Sequence, residues 1–463
     1  MQRLEWLDRK CSEHRLWAGL ILGAVLTGLL FVYNVHGGPL YNLNDIGTWQ
    51  NRLLFTLYSS IVQMTLFAVC TALCRARFSR LALRQLILAA GNIIFLFAIN
   101  QKTMAYNGQI QPIVRAMDTN GLQHLEQYAT NLSAPALSVL CLISRGPIYD
   151  MYLVKLFAIA CCQMLGLLIC DEAAREDEGH YEIMLLLVSI LPQGFMSSAC
   201  AAQTDVFAAL LAAAGLIALR RGRQRLGVCT LGIGAAMSGA VLLLLPLVVF
   251  MNRKVPLRAW GWAAAIPLAL TLPAILFGMP AGKAVLSLVR SSTALPQAAA
   301  GTGTVFGFFP RALVEEMPQY WLLRPLPIDT VTLAAENYTQ SHFVLLMHGL
   351  SFAALALGMG LYALEFSRKH GEFQRILCCT AIVLIVTPAL SQGGWLPLCM
   401  LCIAGLFRLP RYRLPLCMML FATAGGCAYP VTNELLLPPA LISALCLAAL
   451  VLLMDATGER RSA

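Results

Sequence analysis

The chain has 463 residues, of which 59% are hydrophobic and only 12% charged, against about 45–50% and 25% in an ordinary soluble domain. Mean hydropathy is +0.71 and apolar runs recur along the whole length, which excludes a water-soluble globule and predicts an all-α, polytopic membrane protein. The runs are continuous and not alternating, which excludes a β-barrel. The net charge of +10 is read first as a topology signal and not as a sign of nucleic acid.

The first run, Leu16 to Tyr33, follows Arg3, Arg9, Lys10 and Arg15 without a small-residue cleavage signature. It reads as a retained helix with a cytoplasmic N-terminus. Further spans are predicted at about 53–73, 85–100, 151–170, 183–200, 205–219, 259–277, 342–366, 376–390, 395–407, 414–431 and 438–454, twelve in all. Residues 226–251 are apolar but basic on both flanks, from Arg220 to Arg225 and from Arg253 to Arg258. They read as a hairpin of two short helices turning near Ser238 and Gly239. This layout puts 24 of the 33 Lys and Arg on one side, which makes that side and both termini cytoplasmic. Its misfit is the acidic stretch Asp171 to Glu182, which falls on the basic side.

Four regions follow: 1–84, a helical pair with a basic tail; 85–277, a core with the outer loop 101–150; 278–341, a second outer loop; and 342–463, a C-terminal bundle. The second loop carries a Gly/Ala/Ser/Thr-rich stretch from Ser291 to Gly307, then an amphipathic Ala312 to Leu323 that suits the membrane interface. No tandem or inverted repeat is visible, which weighs against a secondary transporter.

Most of the sixteen Cys lie inside apolar spans as small hydrophobes, and Cys399-Met-Leu-Cys402 has no second pair nearby. The seven His lack metal-site spacing, and no phosphate-binding glycine loop is present. No cofactor is therefore expected, with room left for a divalent cation. Asn131-Leu-Ser and Asn337-Tyr-Thr are formal glycosylation sequons.

The informative region runs from Tyr106 to Val249. Its outer loop reads Tyr106-Asn-Gly-Gln109-Ile, then Asp118-Thr-Asn-Gly, Asn131-Leu-Ser-Ala-Pro135 and Arg145-Gly-Pro-Ile-Tyr-Asp150. A span with Lys155-Leu156 follows, then one with Pro192 that ends at Ala201-Ala-Gln203-Thr-Asp205, and the hairpin ends in Leu245-Pro246-Leu247. Polar groups at a span end cost several kcal/mol unless satisfied. Gln203 and Asp205 therefore need partners, water or a ligand.

This order resembles the GT-C type membrane glycosyltransferases, most closely the bacterial relatives of the second mannosyltransferase of GPI-anchor synthesis. Their pattern runs Gly-Asp-Tyr, Asn-Tyr-x-x-Pro, Lys-Leu, Trp-Gly-Gln-x-Asp, Lys-x-Gln, Leu-Pro-Leu and His-Glu-Arg-Tyr. Residues 131–135, 155–156, 201–205 and 245–247 look like the second, third, fourth and sixth elements. The resemblance implies a transferase that moves a mannose-like sugar from a polyprenyl-phosphate donor to a glycan or lipid acceptor, on the outer face of the plasma membrane. In such a reaction a carboxylate takes the acceptor's proton and polar or basic groups hold the phosphate.

Three functional groups of the pattern are replaced: its acid by Gln109, its Trp-Gly by Ala201-Ala202, and its Lys-x-Gln turn by Ser238-Gly239-Ala240. Its last element survives only as Ser391-Gln-Gly-Gly-Trp395. Gln109 cannot take a proton and Ser238 cannot neutralise a phosphate. Asp118, Asp45 and Asp205 remain as candidate bases, with Gln203, Asn131 and Gln109 as polar contacts and Arg115, Arg145, Lys283, Arg290 or Arg311 as phosphate partners. Two readings follow: an active transferase, and a degenerate relative that binds lipid-linked glycan or a partner without chemistry. A lipid or glycan transporter ranks last.

Overall fold

The computed structural model describes residues 6, 49–74, 106–120, 132–145, 150–175, 180–244, 247–248, 255–293, 304–308, 342–367, 369–386, 392–427 and 437–455. Among them every element is helical and there is no strand. The predicted spans at 16–33 and 85–100, both termini and the amphipathic stretch 312–323 lie outside the described residues.

At the centre of the molecule stands α4 (Asp150–Ala173), which follows α1 (Trp49–Cys74), α2 (Gln111–Asn120) and α3 (Ala134–Ser144). The window Met151–Ala173 is 94% buried inside the protein, and at 1.5 Å per residue the helix is about 36 Å long. That length crosses a bilayer core of about 30 Å. Around it pack α1, α3, the broken helix that begins with α5 (Tyr181–Ser189), and α6 (Asp205–Arg220). Two other helical windows, Tyr181–Cys200 and Arg258–Leu276, are also long and apolar enough to cross a membrane. The latter comprises α8 (Leu257–Ala269) and α9 (Leu272–Leu276). Its window is only 17% buried, with Trp262, Leu268 and Leu276 turned outward. Such an apolar outer face fits lipid better than water.

The hairpin expected at 226–251 turns where predicted, because Ser238 is extended (φ −147°, ψ 121°) at the end of α7 (Gln224–Met237). Its second arm begins as a 3₁₀ helix, Gly239–Leu244, and Leu247 and Val248 beyond it are α-helical. Glycine lets α6 and α7 meet backbone to backbone. A Cβ at Gly215 would lie 2.9 Å from the Gly227 carbonyl oxygen, and one at Gly227 would lie 2.8 Å from that of Gly215. Small residues of this kind allow helices to approach closely where no hydrophobic effect drives them together.

The loops also carry more helix than their sequence suggests. The predicted outer loop 101–150 contains a π-helical turn at Tyr106–Ile110, α2 and α3. α3 buries Leu137, Leu140 and Cys141 against α4 and begins at Ser133, whose hydroxyl accepts from the Ala136 amide at 3.2 Å. Loop 278–341 opens with α10 (Ala281–Thr293). The C-terminal bundle contains α11 (His342–Leu361), α12 (Glu372–Val386), α13 (Leu396–Arg408), α14 (Arg413–Cys427) and α15 (Pro439–Met454), close to the predicted bounds.

The acidic misfit is resolved by contacts at one end of the bundle. Arg221 donates to Asp171 at 2.8 Å, to Glu172 at 2.6 Å and to the Cys74 carbonyl at the end of α1. Arg220 bridges Glu172 at 2.7 Å and Glu372 of α12 at 2.9 Å, and Arg408 of α13 donates to the Ala173 carbonyl at 2.7 Å. Asp171 and Glu172 therefore share an end with the arginines and serve as their counter-ions. Burial would lower the Arg221 pKa, but its hydrogen bond to Asp171 and the charge of Glu172 outweigh it and raise it.

With Arg221 only 5% exposed and Asp171 8%, removing the guanidinium leaves uncompensated buried charge, which costs about 3–5 kcal/mol. Arg221→Met should lower the thermal stability of the purified protein in detergent by that amount, and adding Asp171→Asn with Glu172→Gln should recover part of it. Gly215→Val should cost about 1–3 kcal/mol in the same measurement, because it forces α6 off α7.

Candidate functional site

At the end of α4 away from the arginines, two irregular helical segments flank the buried Lys155. The first is the π-helical turn Tyr106–Ile110, whose leading tyrosine ring lies 5.7 Å from the Lys155 ammonium. The second is the π-helix Phe195–Cys200, which packs on α4. π-helical turns are rare and recur at functional sites.

The second segment follows from Pro192, which has no N–H and breaks the helix after α5. Freed carbonyls are taken locally: the Leu191 amide reaches Val188 at 3.3 Å, and the Gln163 side chain of α4 donates to Ser189 at 3.1 Å. The chain then turns out of the π-helix, with the Gln203 amide on the Ser197 carbonyl at 2.9 Å. Ala202 takes φ +52°, the left-handed region that favours glycine. Ala202 stands where the resembling pattern has its glycine.

A narrow, open cleft lies beside this turn. α3 supplies one wall through Ala136, Val139, Leu140 and Ile143, and α4 another through Val154, Phe157 and Ala158. The remaining wall is Ala202, Gln203, Thr204 and Phe207, with Met237 from the end of α7. Phe157 and Phe207 meet edge to face with centroids 5.1 Å apart. Only Gln203 and Thr204 among the lining residues are polar, so the cleft is an apolar trough with an amide and a hydroxyl at one edge.

Of the motifs that the sequence singled out, 201–205 lines the cleft, and 131–135 and Lys155-Leu156 adjoin lining residues in sequence. Ser133, of the Asn131 element, donates to the Ala236 carbonyl at the end of α7, and the Ala134 amide reaches the Ser287 hydroxyl of α10 at 2.8 Å. Gln203 lines the cleft directly. Asp205 is half-buried in the first turn of α6, next to the lining Thr204, where the positive end of the helix dipole favours a carboxylate. The 3₁₀ turn Gln392–Trp395 packs on the π-helix and on α6.

Other candidates stand farther off or outside the described residues. Gln109 is in the first π-helical turn and Asp118 on α2; the helix packs its Ile113, Val114 and Met117 into the same buried cluster as Val154 and Ala202. Arg115 and Arg145 are exposed, as is Lys283 on α10, and none of them lines the cleft. Arg290 lies in α10. Asp45, Asn131 and Arg311 are outside the described residues. Phe157, Phe207 and Met237 carried no signal in the sequence, because an apolar residue in an apolar run does not reveal which face it takes. Among the described residues no three His, Cys, Asp or Glu side chains group as metal ligands would.

No family model matches the chain, and no curated protein or solved structure is significantly similar to it.

A left-handed non-glycine residue costs of order 1–3 kcal/mol, part of which a glycine returns as unfolded-chain entropy. Ala202→Gly should therefore stabilise the protein by up to about 1 kcal/mol, read as a higher midpoint of thermal unfolding in detergent.

Proposed function

We propose that the chain is a multi-pass plasma-membrane protein of GT-C type, which takes a sugar from a polyprenyl-phosphate donor and passes it to a glycan or lipid acceptor on the extracytoplasmic face. The observation that carries this reading is that Ala202, Gln203 and Thr204 of the 201–205 element line one cleft with Ala136 and Val154, which neighbour the 131–135 element and Lys155 in sequence. The orientation rests on the arginine cluster, which by the positive-inside rule belongs to the cytoplasm and so turns the cleft outward. The apolar walls suit the donor's hydrocarbon chain, and Gln203 and Thr204 suit its polar end.

In the transfer, an acceptor hydroxyl attacks the anomeric carbon, the bond from that carbon to the phosphate oxygen breaks, and polyprenyl phosphate leaves. The acceptor's proton passes to a carboxylate, and Asp205 is the carboxylate nearest in sequence to the cleft wall. The assay is release of polyprenyl phosphate by purified protein given a panel of polyprenyl-phosphate sugars and acceptors. Turnover is expected, with Asp205→Asn slower by about 10²–10⁴-fold as for loss of a general base. No turnover with any donor would remove the catalytic reading.

A second reading is favoured by the lining itself, which holds no carboxylate and no cation. A relative that binds lipid-linked glycan without chemistry needs neither. It predicts saturable donor binding, weakened by Gln203→Leu, with no released lipid phosphate.

A further inference from the structure

After Pro192 the broken helix holds two buried side-chain oxygen atoms, those of Gln193 and Ser197, with no hydrogen-bond partner among the described residues. Gln193 is 3% exposed and Ser197 is wholly buried. The Gln193 side-chain nitrogen is well used, donating to the Leu420 carbonyl at 3.0 Å and to the Thr423 hydroxyl at 2.9 Å, both on α14. Its Oε1 has no partner, and neither has the Ser197 Oγ. The neighbouring hydroxyls behave differently: Ser198 donates to the Gly194 carbonyl at 2.6 Å and Ser189 to the Leu186 carbonyl at 2.8 Å. Bonding back one turn is the usual way for a helical serine to satisfy itself. Ser197 leaves its hydroxyl pointing elsewhere, one turn beyond Gln193 and so on the same face.

An amide oxygen is a pure acceptor, whereas a hydroxyl both donates and accepts. A group that fits both must donate to Gln193 and can donate to Ser197 or accept from it. The partners around Gln193 are neutral, from Leu420 and Thr423 to Cys399, whose thiol donates to the Thr423 hydroxyl at 3.4 Å. A cation there would be buried without a counter-charge.

We propose that a structural water molecule binds between Gln193 Oε1 and Ser197 Oγ and holds the π-helix against α14. Its consequence reaches the cleft, because the Ser197 carbonyl receives the Gln203 amide and the Met196 carbonyl receives that of Ala201. Gln193 and Ser197 are thus positioning residues for Gln203, and this assignment is independent of whether the cleft carries out any chemistry.

The direct test is a high-resolution electron cryomicroscopy map of the full chain in a lipid nanodisc. A density peak at hydrogen-bond distance, about 2.7–3.2 Å, from both atoms is expected, and well-ordered side chains with no such peak overturn the proposal. Ser197→Ala gives a second test whose sign is decisive. A hydrated hydroxyl predicts a lower melting temperature and at least ten-fold faster hydrogen exchange at the Gln203 and Thr204 amides. A dry one predicts an unchanged or higher melting temperature, since an unsatisfied polar atom has been removed, and this outcome also overturns it. A melting temperature that rises with sodium but not with choline at equal ionic strength would assign the site to a cation and refute the water.

Discussion

The arrangement of the bundle depends on the charge cluster in which Arg220 and Arg221 meet Asp171, Glu172 and Glu372. Buried charge is costly, and here Arg220 meets Glu172 and Glu372 while Arg221 meets Asp171, Glu172 and the helix-end carbonyl of Cys74. One knot therefore ties the ends of α1, α4 and α6 to the start of α12, and Arg408 adds the end of α13 through the Ala173 carbonyl. Helices fixed at one end have their lengths read off at the other. Because α4 is about 36 Å long, Val154 to Ala158 stand near the far end, and there the cleft opens.

At that far end several helical segments are irregular. Pro192, two π-helical turns and a left-handed Ala202 all fall beside Lys155 and the cleft. Each departs from the lowest-energy local backbone, and strain of that kind gathers where a site must be shaped. Irregular backbone at membrane depth is tolerated where protein encloses it or where it borders a cavity. The 195–205 segment meets both conditions, with α4 and the 3₁₀ turn Gln392–Trp395 beside it and the cleft at its exit.

Much of this was legible in the sequence, for physical reasons that can be named. Long apolar runs make long helices, so the bounds of α1, α4, α6, α11, α13 and α15 followed from hydropathy within a few residues. The turn at Ser238 followed from the basic flanks of its hairpin. α2 and α3 were hidden, because Asp118-Thr-Asn-Gly and Asn131-Leu-Ser-Ala-Pro135 read as turn chemistry; Ser133 and Pro135 in fact start a helix. The role of Asp171 and Glu172 was hidden for another reason. A loop-by-loop charge count carries no information about which arginine a carboxylate meets across the bundle. The motif at 201–205 lies at the cleft wall, whereas the aromatic pair Phe157 and Phe207 was visible only in three dimensions.

The central claim is that the cleft bordered by Gln203 receives a lipid-linked sugar. Photo-crosslinking with a polyprenyl-phosphate sugar carrying a diazirine on its first isoprene units, followed by peptide mapping of the full chain in membranes, addresses it most directly. The account predicts adducts in 134–144, 154–158 and 202–207, reduced by unlabelled donor. Adducts confined to the lipid-facing surface of α8 and α9, or indifferent to competing donor, would contradict it.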